Sequence, residues 1–349
     1  MGGRRRRGSE GAWTGGRPPS VRSQLDRLER DLTREHPEVI GIGIGPRVSR
    51  GRMTGEQSVR VFVREKVGGP TGRMPAGVRR LPKRVSLWTV ALGQPVRVTL
   101  PVDVHTPARM DPTQGASAPG VHRSTIAALA RWTSDSGTPR IGVVACAHDM
   151  DAVGQEVGVQ LEGDVVANGR VVERCEFKRA GSAGLDVSLV RVHRKHAQRL
   201  PRIGPFAGAS AATVERTIRL ISEDPRDTIT VPARFFTVEP EEKIRGVAYL
   251  RTYPIETSAG EHYTLRDVVE CTSNQQGTFR PGRSGSAWST RVGEDGAEVL
   301  ALQSHANANG TKSAGTHFGA SVAWLRRRPG MNGLAVAWTR EGLGVTPDA

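Results

Sequence analysis

The sequence predicts a mostly β protein preceded by a small α+β unit. Three observations carry this. The 42 Gly and 22 Pro of the 349-residue chain, with aromatic residues at 5%, break it into short segments. One clear helical period stands near the N-terminus, with strictly alternating runs behind it. Beyond residue 120, short apolar runs recur between turn residues with little helix between them.

Residues 1–20 are rich in Gly, Arg, Pro and Ser and read as a disordered basic tail. Val21, Leu25, Leu28 and Leu32 then fall on one helical face, and Pro37 ends that helix. Val39-Ile-Gly-Ile-Gly-Ile-Gly45 alternates, which predicts a strand whose Gly face lies close against another element. The run is not a phosphate loop, since it lacks both the following helix and the Lys-Ser/Thr. Residues 58–64 and 96–104 supply further strands, so 21–106 form the small α+β domain. Residues 107–120 read as a linker.

The later body, 121–328, has strand-like runs at 126–132, 141–147, 157–161, 187–192, 217–221, 233–238, 247–253, 287–290, 299–303 and 318–325. Residues 329–349 read as a Gly-rich C-terminal tail.

Charge narrows the classes of function. Lys+Arg number 50 and Asp+Glu 35, a net charge of +15. Residues 1–100 hold 21 and 8 of these, and the remainder 29 and 27, so the excess sits in the first third. Nucleic-acid binding would rest on that third alone, and no aromatic-interleaved motif accompanies it. No apolar run reaches the ~18 residues of a membrane helix. Three cysteines without a CxxC spacing suggest neither a disulfide scaffold nor zinc, and no cofactor motif is legible. The start lacks the apolar stretch of a secretion signal, so the expected location is cytoplasmic.

Three segments offer chemistry together. Pro281-Gly-Arg-Ser-Gly-Ser286 can place a serine on a tight turn. There the N–H groups of Gly282 and Ser284 would form an oxyanion hole, each donor contributing about 3–4 kcal/mol to the transition state. His148 directly follows the apolar run 141–147. Asp186 stands at the mouth of the run 187–192. Alone, each has a bland reading: a glycine turn, a core-edge histidine, a strand-end cap. Together they supply nucleophile, base and orienting carboxylate in the order His, Asp, Ser.

On these residues the segment 120–328 resembles the chymotrypsin-like (trypsin-like) serine protease family, of bacterial trypsin-like peptidase type. Ala145-Cys-Ala-His148, Leu185-Asp-Val-Ser-Leu-Val190 and Phe279-Arg-Pro-Gly-Arg-Ser-Gly-Ser286 resemble the three motifs that carry its triad. The resemblance implies two six-stranded β-barrels with the site between them. It makes His148 the general base, Asp186 its partner, Ser284 the nucleophile, and Gly282 with Ser284 the oxyanion hole. It puts Thr278 on the floor of the primary pocket and lines the substrate backbone with Ser304, His305 and Ala306. Thr278 gives no support for a Lys or Arg preference, and His305 or His317 near the pocket would favour an acidic residue.

Arg283 stands where digestive relatives carry the Asp that pairs with a new N-terminus, so that activation route is not expected. The domain 21–106 also resembles a Gly-Val-Gly-Ile-Gly domain found ahead of some such peptidases. The expected function is a serine endopeptidase acting on protein or peptide, with intramolecular regulation by 21–106 and any self-cleavage in 107–120. Two alternatives stay open: an inactive protease fold used as a binding module, and a nucleic-acid-binding protein working through its basic first third.

Overall fold

The computed structural model describes residues 18–49, 52–66, 80–91, 94–113, 123–161, 164–175, 177, 184–197, 200, 208–222, 231–235, 243–280, 283–292, 296–339 and 341–344. The chain is mostly strand, arranged in two sheets. The expected tail at 1–17 and the pair Pro281-Gly282 lie outside the described residues.

Helix α1 (Val21–Glu35) starts where Ser20 accepts the Ser23 N–H at 3.1 Å, a side-chain cap for one of the unpaired first-turn donors. It buries Leu25 and Leu32, each side chain stabilising the fold by about 1.5–3 kcal/mol. Strands β1 (Val39–Ser49), β2 (Arg52–Val63), β3 (Arg84–Ala91) and β4 (Gln94–His105) follow. The alternation in β2 puts Val59, Val61 and Val63 into the core.

The expected closeness at the Gly face of β1 is met. A Cβ on Gly41 would stand 2.5 Å from the Thr252 carbonyl, and one on Gly43 2.5 Å from Leu250. Those contacts belong to a strand of the later body, to which β1 pairs antiparallel with Ile44 opposite Tyr249. The domain 21–106 therefore shares a sheet with the rest of the chain.

Two short strands, β5 (Ala108–Arg109) and β6 (Asp111–Pro112), occupy the first half of the expected linker. This corrects the linker reading for 108–113: Met110 is buried and its N–H donates to Glu256 O. Residues 114–120 lie outside the described residues.

Next come β7 (Arg123–Thr125), β8 (Ala128–Thr133), β9 (Pro139–Ala145), β10 (Glu156–Leu161), β11 (Asp164–Arg174), β12 (Ser188–Val192) and helix α2 (Arg194–Ala197). Then follow β13 (Gly208–Ala211), α3 (Val214–Ser222), β14 (Val231–Phe235), β15 (Lys243–Glu256), β16 (His262–Thr272), β17 (Ala287–Val292), β18 (Gly296–Ala306), β19 (Lys312–His317), α4 (Phe318–Arg326) and β20 (Asn332–Ala337).

One sheet of seven strands runs β20-β8-β9-β12-β11-β10-β7, an open path among the described residues. The other, of thirteen strands, runs β14-β17-β18-β19-β16-β15-β1-β2-β4-β3, with β13, β5 and β6 paired at its sides. Within it β14 pairs both β17 and β15, so β14, β17, β18, β19, β16 and β15 are joined in a ring of ladders. The sheet as a whole is not a simple barrel, since its path runs on from β15 into β1.

Two predicted strands are helices. In 217–221 the apolar positions belong to a longer helical set, with Val214, Thr217 and Ile218 buried and Thr213 capping Arg216 N at 3.1 Å. In 318–325 the buried residues Phe318, Ser321, Val322 and Leu325 recur at three and four, the helix period.

The expected C-terminal tail from 329 is also corrected. Strand β20 pairs β8, and the buried Trp338 donates its indole N–H to Ala127 O at 2.8 Å. No helix among the described residues is long and apolar enough to cross a membrane.

Candidate active site

The strand register explains why a histidine and an aspartate 38 residues apart meet. β9 and β12 pair antiparallel with Ala145 opposite Ser188. Continuing that register brings Asp186 opposite Ala147, beside His148. The Ser188 hydroxyl ties the turn down by donating to Cys146 O at 2.9 Å. Ser284 arrives from the other sheet, at the head of β17. Gly285 follows it with φ +84°, and a Cβ there would stand 2.6 Å from the Thr125 carbonyl, so the turn requires glycine twice over. The site thus lies where the two sheets meet.

His148 Nδ1 is 2.5 Å from Asp186 Oδ2, and Ser284 Oγ is 2.5 Å from His148 Nε2. Asp186 is fully buried, and its other oxygen, Oδ1, accepts the N–H groups of Ala147 at 2.8 Å and His148 at 3.0 Å. The Ser304 hydroxyl also donates to Oδ2. Burial alone would raise the Asp186 pKa. The adjacent His148 with its hydrogen bond, then His305 and the Ser304 hydrogen bond, outweigh it and hold the carboxyl well below the usual range.

An ionised Asp186 only accepts hydrogen bonds, so His148 carries its proton on Nδ1. Nε2 then faces the Ser284 hydroxyl as an acceptor. This is the protonation state in which imidazole takes a proton from an alcohol.

The network runs further. Ser304 Oγ and His305 Nδ1 are 2.6 Å apart, and Tyr263 OH bonds to His305 Nε2. Since Ser304 gives its proton to Asp186, His305 must donate through Nδ1, and Tyr263 donates to Nε2. Two chains of donors therefore converge on one carboxylate. The His305 ring also packs 5.6 Å from Phe177 and 5.9 Å from His148, centre to centre. Asp149 Oδ1 lies 3.4 Å from His148 Nε2, where it would face the imidazolium formed during proton transfer.

The expected residues divide. His148, Asp186, Ser284, Ser304 and His305 come together. Ala306 lines the same strand, buried at the end of β18. Gly282 lies outside the described residues. Thr278 is buried in the loop after β16, its hydroxyl held by Ser273 Oγ at 2.8 Å and Gln275 O at 2.9 Å, and not by Ser284, His148 or Asp186.

His305 is engaged on both ring nitrogens behind the carboxylate, which corrects the expectation that it reads an acidic side chain. His317 caps α4, accepting Ala320 N–H on Nδ1 while Nε2 bonds Thr217 at 2.9 Å. Burial pushes it down to about 4, so it is neutral and equally unsuited to bind an acid. Tyr263, Phe177 and Asp149 were missed by sequence reasoning. Asp149, adjoining His148 in the sequence, was the only one of these with a signal.

Cys146, His148 and Asp186 offer possible metal-ligand atoms within 4.8 Å of one another. The chemistry fits a hydrogen-bond network better. Burial pushes the Cys146 thiol well up, and as a thiol it donates to Gln303 O at 3.0 Å. His148 Nδ1 and Asp186 Oδ2 already satisfy each other. Neither a protein-family model nor a curated protein matches the chain.

Proposed function

We propose that the chain is a serine endopeptidase of chymotrypsin-like type. The observation that carries this reading is the continuous hydrogen-bonded line from Ser284 through His148 to a buried, acceptor-saturated Asp186. The ring of six ladders in the larger sheet supports one of the two barrels this reading requires; the seven-strand sheet would supply the other.

In the proposed mechanism Ser284 Oγ attacks a peptide carbonyl while its proton passes to His148 Nε2. Asp186 and Asp149 then offset the imidazolium charge. His148 returns the proton to the leaving amine, and a water, deprotonated by the same imidazole, hydrolyses the ester. An extended substrate is accommodated by the edge of β18 at Ser304–Ala306, whose backbone groups pair with peptide in the manner of an added strand.

The test is labelling with a fluorophosphonate probe. Wild-type chain is expected to carry the label on Ser284, and Ser284→Ala to carry none. Equal labelling of both would sink the assignment.

A further inference from the structure

The backbone of residues 111–113 already lies where that substrate would lie. β6 pairs antiparallel with β18, Pro112 opposite His305 and Asp111 opposite Ala306. Thr113 N–H donates to Ser304 O at 3.0 Å, and its hydroxyl to the same oxygen at 3.1 Å.

The edge of β18 tells which way this segment points. β19 covers one edge as far as Ala306, opposite Ser313. The other edge carries β17, then the nucleophile turn, where Gly285 N–H donates to Gln303 O and Gln303 N–H to Ser286 O, each at 2.9 Å. Next on that edge come Thr113, Pro112 and Asp111. Residues 111–113 and 285–287 run in the same direction, end to end, so the carboxyl side of Thr113 is aimed at Ser284.

The seating is built on both flanks. Asp111 accepts the N–H and the hydroxyl of Ser258, both at 2.9 Å. Met110 is buried in the apolar cluster that also holds Phe62, Phe177 and Tyr263, and Thr113 itself is buried.

Resting on the hydrolase reading above, we propose that the chain is its own first substrate, cut at the peptide bond on the carboxyl side of Thr113. Ser284 Oγ bonds to the Thr113 carbonyl carbon and its proton goes to His148. The C–N bond to Gln114 breaks, and the new amine takes that proton. Water then releases Ser284 and leaves a carboxylate on Thr113. The substrate class follows from the occupant: an extended peptide with a small β-branched hydroxyl residue at the cut and proline before it.

The fragment ending at Thr113 would stay attached. The β1–β15 ladder holds it, and so do Arg22 with Asp267 at 2.6 Å and Arg60 with Glu270 at 2.9 Å.

The experiment is intact mass under denaturing conditions on the purified full chain, with gel filtration and fluorophosphonate labelling alongside. Wild type is expected to give two polypeptides, one ending at Thr113 and one beginning at Gln114, eluting together as one particle. Ser284→Ala should stay a single chain. Gln114→Pro, which puts a ring on the leaving nitrogen, should also stay single while Ser284 still labels. An intact wild type whose Ser284 labels overturns self-cleavage, and a cut at another bond overturns the Thr113 assignment; either leaves the hydrolase reading standing. The same cut in Ser284→Ala overturns it too. A chain neither cut nor labelled brings down both.

Discussion

The Ser304 carbonyl accepts the Thr113 N–H at 3.0 Å, and the hydroxyl of the same Ser304 donates to Asp186. One residue therefore touches both the 111–113 segment and the carboxylate hydrogen-bonded to His148. Its hydroxyl is in turn backed by His305 and Tyr263. Ser304→Ala keeps the carbonyl and removes one of the four donors to Asp186. A hydrogen bond to a charged group contributes about 1.5–3 kcal/mol, so kcat on a peptide substrate should fall about 10- to 100-fold with KM little changed. Steady-state kinetics on an exogenous peptide check this. Tyr263→Phe, two bonds further back, should have a smaller effect in the same direction.

Asp186→Asn tests the tautomer assignment. An amide NH₂ in place of Oδ2 would no longer accept from His148 Nδ1–H, so the imidazole would present a proton, not a lone pair, to Ser284. A loss of about 10⁴-fold in kcat is expected, the size seen where such an aspartate is replaced in this way. Circular dichroism should be unchanged. A variant with a tenth of wild-type turnover would mean the carboxylate does not set the state of His148.

Cys146 is the rival nucleophile, close to the same histidine. Its burial raises the thiol pKa, and the thiol proton is engaged with Gln303 O. Cys175 and Cys271 are buried as well. Iodoacetamide at pH 8 should therefore modify none of the three in the folded chain and all three after denaturation, read by mass spectrometry. Cys146→Ala should keep fluorophosphonate labelling within about threefold, a change of less than 1 kcal/mol. Loss of labelling there, with a folded chain, would move the chemistry to the thiol.

Gly43 tests the join between the N-terminal unit and the later body. A Cβ there would meet Leu250 at 2.5 Å and the Tyr249 carbonyl at 2.7 Å, and backbone cannot give way cheaply. Gly43→Val should cost about 1–3 kcal/mol of stability and lower the melting temperature. Gly55, with open space around its Cβ position, is the control: Gly55→Val should leave the melting temperature within a degree or two of wild type.

What the sequence revealed was set by local pattern. The Gly face of 39–45 and the alternation of 58–64 follow from period two, which needs no knowledge of partners. His148 and Asp186 were legible because each sits at the edge of an apolar run, and Ser284 because glycines flank it; the β9–β12 register then brings the first two together. Phe318, Ser321, Val322 and Leu325 carry a helical period, but a short apolar run reads equally well as a strand, and Ser321 hid the repeat. β16 was missed because Arg266, Asp267 and Glu270 interrupt its apolar pattern. The structure pairs Asp267 with Arg22 and Arg251, and Glu270 with Arg60 and Lys312. Thr113 carries no local signal, because its seat is defined by an edge of β18 almost two hundred residues later.

Glu270 is one of those hidden charges, and it fixes a pH dependence. It is buried between Arg60 Nη1, 2.9 Å from Oε1, and Lys312 Nζ, 2.7 Å from Oε2, and Tyr253 also donates to Oε2 at 2.9 Å. Burial alone would raise its pKa. Lys312 and Arg60 outweigh that and hold it down at about 2, against an ordinary value of 4.5. A carboxyl whose folded pKa lies below its unfolded one stabilises the fold fully above the unfolded value. That contribution is lost as pH falls toward the folded value. Between about pH 5 and pH 2 the wild type should therefore lose stability on the order of 3 kcal/mol through this group alone. Glu270→Gln leaves Arg60 buried without its counter-charge, so it should be the less stable protein at pH 7, by about 3–5 kcal/mol. It should also lose this part of the acid slope. Urea titrations of both proteins from pH 7 to pH 2.5 separate the two effects. Parallel slopes would mean that Glu270 titrates at its ordinary value and that the ion pair does not hold β2 to β16.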